Sequence, residues 1–175
     1  SRRKNMVEQN SRSIRALYPG TFDPPTLGHI SLIERACSLF GDVTVAVAKI
    51  SGKDPLLMYE QRINLLRQIF SGNPNVKIIG FTGLLVDCAK KTNSNVIVRG
   101  LRTISDFDVE YRMSTINNIV MPELETVFLM SEPEYSFISS TFVKQIAREG
   151  GDISAFVPGA VLELLKELEE NGHNI

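Results

Sequence analysis

Apolar positions along this chain fall into two spacings that take turns almost from end to end. Residues 14–17 and 43–48 are short apolar runs, the second rich in β-branched side chains, as expected of buried parallel strands. Between them Ile30, Ile33, Cys37 and Phe40 recur at helical spacing, which predicts a helix over residues 26–40 closed by Gly41. Tyr59, Ile63, Leu66 and Phe70 predict a second helix over 58–70, stopped by Ser71, Gly72, Asn73 and Pro74. Strands follow at 76–80, 96–98 and 126–130, separated by helices at 84–91 and 106–120. A helix capped by Ser139, Ser140 and Thr141 reaches Arg148, and a last one spans 159–170 with Val161, Leu164, Leu165 and Leu168 along one side. The expected architecture is an α/β fold, an open five-stranded parallel sheet with helices on both faces. Residues 14–175 read as a single domain without repeats, in which only the final helix could sit apart as an appendage.

Composition narrows the class. The chain has 175 residues, 43% apolar and 22% charged, enough for a full core. Its net charge is −1, with none of the basic surplus of a nucleic-acid binder. Residues 1–13 hold Arg2, Arg3, Lys4 and Arg12 against Glu8, a net of +3, which leaves −4 for the rest. They read as a disordered leader or a vector-derived remnant before a native start at Met6. Cys37 and Cys88 have no metal or redox spacing and read as small core residues in a reducing compartment. With only His29 and His173, a His-rich zinc site is excluded. No apolar run approaches the roughly 18 residues of a membrane span, so the expectation is a cytoplasmic protein with no membrane partner.

The most distinctive stretch is residues 18–29, Tyr-Pro-Gly-Thr-Phe-Asp-Pro-Pro-Thr-Leu-Gly-His. It joins the first strand to the first helix, the usual place for a phosphate in an open α/β sheet. Pro19 marks the end expected for the strand, and Thr26 is the expected N-cap, with His29 in the first helical turn. A lone histidine near a helix start is more often surface or satisfied core than functional. The strand-end rule nevertheless gathers other donors at this sheet edge: Thr21 and Phe22 after strand 1, Lys53 after strand 2, Leu85 after strand 3, Arg99, Gly100 and Arg102 after strand 4, and 135–141 after strand 5. A histidine that can switch its charge, a lysine, two arginines and two hydroxyl-rich helix starts, with few carboxylates close by, suit a polyphosphate.

Each candidate has a plainer reading. Lys53 lies in a polar loop where most lysines are only solvated. Arg99 could pair with Asp106 or Asp108, and Arg102 could be surface. Asp106 and Glu110, one turn apart, could be a solvated helix face. The dinucleotide Gly-x-Gly, the P-loop and the Gly-x-Ser-x-Gly elbow are all missing, and Asp23 has no second aspartate beside it as a nucleophile would want.

Three blocks change the balance. Residues 18–29, then Arg99-Gly100-Leu101-Arg102 with Asp106, Phe107, Glu110 and residues 121–129, then Tyr135-Ser136-Phe137-Ile138-Ser139-Ser140-Thr141 with Val143 and Lys144, together resemble the phosphopantetheine adenylyltransferases of the nucleotidyltransferase superfamily. The likeness runs from Arg15 to about Leu168. It implies transfer of the adenylyl group of ATP to 4′-phosphopantetheine, with Mg²⁺, in a homohexamer built as a dimer of trimers. It implies that Thr21 and Lys53 contact both reacting phosphates and that His29 stabilises the transition state. Phe22 would give a backbone contact to ATP. Gly100, Leu101, Arg102, Glu110 and residues 135–141 would hold the nucleotide, and Arg99 and Leu85 the pantetheine side. Tyr135 departs from the Trp of many members, and the basic leader is no family feature. Two rival readings are a sister transferase using CTP or another acceptor, disfavoured by Thr26 where cytidylyl enzymes prefer His, and a non-catalytic flavodoxin-like binding module.

Overall fold

A computed structural model describes residues 13–49 and 52–173. The leader expected over residues 1–13 lies, up to residue 12, outside the described residues. Strands β1 (Ala16–Gly20), β2 (Val43–Ala48), β3 (Val76–Phe81), β4 (Val96–Leu101) and β5 (Glu125–Met130) form one parallel sheet in the order β3-β2-β1-β4-β5. Helices α1 (Leu27–Phe40), α2 (Tyr59–Ile69), α3 (Leu85–Lys91), α4 (Ile104–Val120), α5 (Ser140–Arg148) and α6 (Gly159–Glu170) connect and follow the strands, with a 3₁₀ turn at Pro133–Tyr135. The chain winds outward from β1 to β3, then returns to β4 on the other side of β1. That reversal is the switch point where open α/β sheets bind ligands.

Strand periodicity builds a core on each face. Tyr18, Val45, Val47, Val96 and Val98 point to one side, under Leu32, Ile33 and Ala36 of α1 and Ile63 and Leu66 of α2. Leu17, Ala46 and Ile97 point to the other, against Val86, Cys88 and Ala89 of α3 and Met121 and Leu124 after α4. A third cluster joins Leu65 of α2, Val143 of α5 and Val161 and Leu165 of α6, so the final helix is packed rather than apart. Both cysteines are free thiols, Cys88 buried and Cys37 half-buried against the first core. No helix among the described residues is long and apolar enough to cross a membrane.

The expected helices stand within a residue or two of their sequence signals. Thr26, Thr103 and Ser139 are side-chain N-caps, and Gly41 ends α1 at φ +83°, a conformation that favours glycine. Two strands run three residues past their expected ends. β1 begins at Ala16 and continues through Pro19 to Gly20, and β4 continues through Arg99 and Gly100 to Leu101. Pro19 is tolerated in a central strand because pairing between β1 and β4 stops at Leu17↔Ile97, while β2 stays paired along all of β1. The carbonyl of Pro19 accepts from Arg99 across the resulting gap (2.9 Å), so the side on which proline lacks a donor has no ladder to complete. This gap between β1 and β4 is the floor of the site.

Candidate functional site

Two cavities open at the C-terminal edge of the sheet. The first, about 280 Å³, lies over the β1–β4 gap between the starts of α1 and α5. Thr21, His29, Arg99, Gly100, Arg102, Glu110 and Tyr135 line it, as do Ile138, Ser139, Ser140 and Thr141. The second, about 340 Å³, lies under α4 with Leu85, Phe81, Ile97 and Met113 as its apolar wall and Ser114, Asn117 and Thr126 as polar points. Pro19, Gly20, Thr21, Arg99 and Glu110 line both. The two cavities therefore share a seam, and Thr21 and Arg99 stand on it.

Local structure fixes each donor. Thr26 and His29 form a reciprocal cap at the start of α1: His29 N–H donates to Thr26 Oγ1 (3.3 Å), and Thr26 N–H donates to His29 Nδ1 (3.0 Å). A ring nitrogen that accepts a backbone N–H carries no proton, so the proton of the neutral imidazole is on Nε2. Phe22, with φ +51°, folds its ring into the core, edge-on to His29 at 4.9 Å and to Tyr18 at 5.5 Å. The imidazole is thus braced on one side and capped on another.

Burial, reinforced by the charges of Arg102 and Arg99, pulls the His29 pKa from 6.5 down to about 4. This corrects the expectation of a donor that switches its charge: at neutral pH His29 is a fixed neutral donor. An NMR titration of the ligand-free protein is expected to show Nε2–H imidazole at pH 6 and a midpoint near 4. A midpoint at an ordinary 6.5 would refute the assignment. Because the pKa is depressed in the fold, the unfolded chain binds the extra proton first. This residue's contribution therefore weakens the fold as pH falls from about 6.5 to about 4, and is constant above that window.

Within β4, Arg99 donates Nε to Glu110 Oε2 (2.8 Å) and Nη2 to Glu110 Oε1 (2.6 Å). Burial opposes its charge, but the bond and charge of Glu110 outweigh that and the pKa is raised. Arg102 pairs with Asp106 (3.3 Å) and donates to the carbonyl of Ile138 (3.0 Å), which ties β4 to the approach of α5. Ser140 Oγ in turn donates to the carbonyl of Pro24 (2.9 Å), which ties α5 to the turn after β1. Carboxylates are therefore close by, contrary to expectation, one for each arginine. Arg99 takes Glu110 rather than Asp106 or Asp108, so the residue expected on the nucleotide side and the residue expected on the pantetheine side are one ion pair on the seam.

Other expected residues lie outside the cavity walls. Lys53 is exposed, beyond Ala48, the last residue of β2 and part of the second cavity's wall. Phe22 and Leu101 have buried side chains and line neither cavity. Ser136 Oγ is turned to the carbonyl of Pro133 (2.9 Å), and Phe137 is 90% exposed.

Asp23, whose sequence position argued against a nucleophile, is buried and accepts from the backbone of Leu56 (3.0 Å) and Leu57 (2.8 Å), with Lys144 Nζ at 3.5 Å. It joins the turn after β1 to the chain entering α2. Asp23→Ala is expected to lower the unfolding free energy by about 3 kcal/mol, the loss typical of breaking a buried charged contact. A urea melt that shifts by less than about 1 kcal/mol would show that the contact is dispensable.

The sequence reading missed Arg62 and Asn117. Asn117 is the one buried residue of α4 and lines the second cavity. Arg62 is among the most completely buried side chains, 1% exposed. Its signal was present, since position 62 falls three after Tyr59 and four before Leu66, inside the apolar stripe of α2. A charge there must have a partner within the fold.

Comparison with known proteins bears on the family and the fold. The family model described as cytidylyltransferase-like matches residues 17–146. The chain is 48% identical over 149 residues to the phosphopantetheine adenylyltransferase of Methylococcus capsulatus, covering 85% of this chain and 92% of that protein. It is 46% identical over 160 residues to the phosphopantetheine adenylyltransferase of Polynucleobacter necessarius, covering 91% and 97%. Among solved structures, it superposes on a bifunctional NMN adenylyltransferase/ADP ribose pyrophosphatase of Francisella tularensis with a TM-score of 0.70 at 14% identity, over 91% of this chain but half of that one. It also superposes on a candidate nicotinate-nucleotide adenylyltransferase of Vibrio parahaemolyticus with a TM-score of 0.67 at 23% identity, over 88% and 99%. The structural likenesses bear on the fold alone.

Proposed function

The chain belongs to the phosphopantetheine adenylyltransferase family of cytidylyltransferase-like nucleotidyltransferases, and on that premise we propose how its cleft carries out the transfer. The enzyme moves the adenylyl group of ATP to 4′-phosphopantetheine, giving dephospho-coenzyme A and pyrophosphate in coenzyme A biosynthesis. The observation that carries the reading is the shared seam of the two cavities at Thr21, Arg99 and Glu110. A nucleotide in the polar first cavity and a pantetheine arm in the part-apolar second would meet there, phosphate to phosphate.

In-line transfer needs positioning and charge stabilisation more than covalent work by the protein. The acceptor phosphate is already an anionic nucleophile, and no base is required. Bringing two phosphates together works against about 4 kcal/mol per unit charge pair at 4 Å and intermediate dielectric. Arg99 and Arg102 offset that repulsion, and the neutral Nε2–H of His29 donates to an oxygen on the α-phosphorus as charge builds there. Thr21 contacts both reacting phosphates. Lys53 serves them from the segment after β2. Gly100 and the stretch 135–141 hold the nucleotide, with Tyr135 as its aromatic platform, Ser139 and Thr141 presenting hydroxyls, and the first N–H groups of α5 turned to the phosphates.

The donor set suits Mg²⁺ carried on the ATP phosphates. Among the described residues no cluster of three ligating side chains stands ready to hold an ion. The two carboxylates of the cleft are both engaged by arginines. The ion would neutralise phosphate charge.

Self-association as a homohexamer is part of the same proposal. Helix α4 exposes Phe107, Val109, Tyr111, Met113, Ile116 and Ile119 and buries only Asn117, an apolar surface that a second copy would cover. Light scattering at micromolar concentration is expected to return six copies of a 19.5 kDa chain, and a monomer would contradict it.

The reaction is tested by pyrophosphate release over a panel of nucleotides and acceptors. MgATP with 4′-phosphopantetheine is expected to give pyrophosphate and dephospho-coenzyme A in equal amounts, reversibly. CTP should be a poor donor and unphosphorylated pantetheine a poor acceptor. Equal rates with pantetheine would exclude the acceptor phosphate as nucleophile.

A further inference from the structure

Arg62 is a buried charge that the transfer chemistry does not use directly. Its Nη1 donates to the carbonyls of Thr21 (2.6 Å) and Ala48 (2.8 Å), and its Nη2 to the carbonyl of Lys49 (2.9 Å). The β1–β2 ladder ends at Gly20↔Val47, so these carbonyls lie just where backbone pairing between the two strands stops. The guanidinium takes over from the ladder and clamps the two strand ends together.

The side chain has little freedom to do anything else. It is 1% exposed, and its guanidinium lies over the ring of Tyr59 at 5.8 Å. Tyr59 in turn fills the space left by the absent side chain of Gly80, where a Cβ would fall 1.6 Å from its hydroxyl. Among the described residues Arg62 Nε has no hydrogen-bond partner. A buried charge with an unsatisfied donor is a poor way to gain stability, since apolar side chains of similar volume usually do as well or better. What it supplies instead is geometry: a planar fork with fixed angles between its donors.

Both strand ends that it holds lead into the site. Thr21 lines both cavities and Ala48 the second. Lys49 begins the segment that carries Lys53, and Asp23 grips the far end of that segment at Leu56 and Leu57. We propose that Arg62 is a positioning residue for adenylyl transfer, setting the distance between the turn at Thr21 and the start of the Lys53 segment through its three carbonyl bonds. The inference rests on the transfer reaction proposed above.

A kinetic double-mutant cycle tests it. Arg62→Lys keeps the charge and the apolar stem but replaces the fork with a single point donor. Wild type, Arg62→Lys, Thr21→Ala and the double variant are assayed with MgATP and 4′-phosphopantetheine well below each variant's Tm, and Arg62→Gln is carried alongside. Arg62→Lys is expected to lower kcat about 10- to 100-fold, the size of effect that an ångström-scale misplacement produces. The KM values for both substrates should change less than about threefold, because the loss falls in the transition state. In the Thr21→Ala background the same substitution should cost far less, since the group it positions is gone. Effects that multiply, or a lowered Tm with unchanged kcat, would overturn the proposal and leave Arg62 a framework residue. Failure of both Arg62 variants to fold would do the same. A wild-type protein that releases no pyrophosphate would instead defeat the transfer reaction itself, so the two failures are distinguishable.

Discussion

His29→Ala is expected to lower kcat by about 10²–10³, equivalent to about 2.7–4 kcal/mol of transition-state stabilisation. The expectation follows from the bonding of the ring. Nδ1 is committed to the N–H of Thr26, which leaves Nε2–H as the donor available to the cavity. Phe22 packs against the imidazole, so the donor is held before substrate arrives and need not reorganise during reaction. Its neutrality matters too. With the imidazolium pKa near 4 the ring is neutral at pH 7, and a neutral imidazole donates its Nε2–H without giving the proton up to a phosphate oxygen. Stability should fall by only about 1 kcal/mol, the usual value of a helix-capping contact, here Thr26 N–H to Nδ1. A protein with His29→Ala that turns over at the normal rate would remove His29 from the chemistry.

Arg99→Ala is expected to raise the KM for 4′-phosphopantetheine by about 10- to 100-fold, the size of one or two charge-assisted contacts, and the KM for ATP by clearly less. Arg99 stands on the seam, and its removal does two things at once. It takes away a cation at the point where the phosphates meet. It also leaves the Glu110 carboxylate, held at 2.6 and 2.8 Å in the intact protein, unpaired beside incoming anions. The second loss is separable. Replacing Glu110 as well, in an Arg99→Ala/Glu110→Ala protein, should recover part of the affinity, a non-additivity that a direct contact alone would not produce. A rise in the ATP KM instead would place Arg99 on the nucleotide side and redraw the division between the cavities.

Much of this architecture was legible in the amino-acid sequence, for physical reasons that also explain what was not. Helices such as α1 and α2 were readable because each has an apolar stripe and a recognisable end, as with Thr26 and Gly41 around α1. The strand ends were not. Proline at position 19 and the Arg99-Gly100 pair look like breakers, yet the sheet accepts them because β1 and β4 part after Leu17 and Ile97. The sequence offered Asp106 or Asp108 as partners for Arg99; that Glu110 takes the place depends on how α4 sits over the sheet. Arg62 was visible as a charge in an apolar stripe, while its three partners come from strand ends distant in sequence. The tautomer of His29 follows from its local cap with Thr26, but its low pKa depends on burial and on Arg102 and Arg99 at the end of β4, which no local pattern encodes.

The central claim is that ATP and the acceptor occupy the joined cavities together and react in one displacement. Its most direct test is the stereochemical course at the α-phosphorus, using ATP made chiral at that centre and 4′-phosphopantetheine as acceptor. A single in-line attack inverts the configuration in the dephospho-coenzyme A product. Retention would require two displacements through an adenylyl-enzyme and would contradict the account.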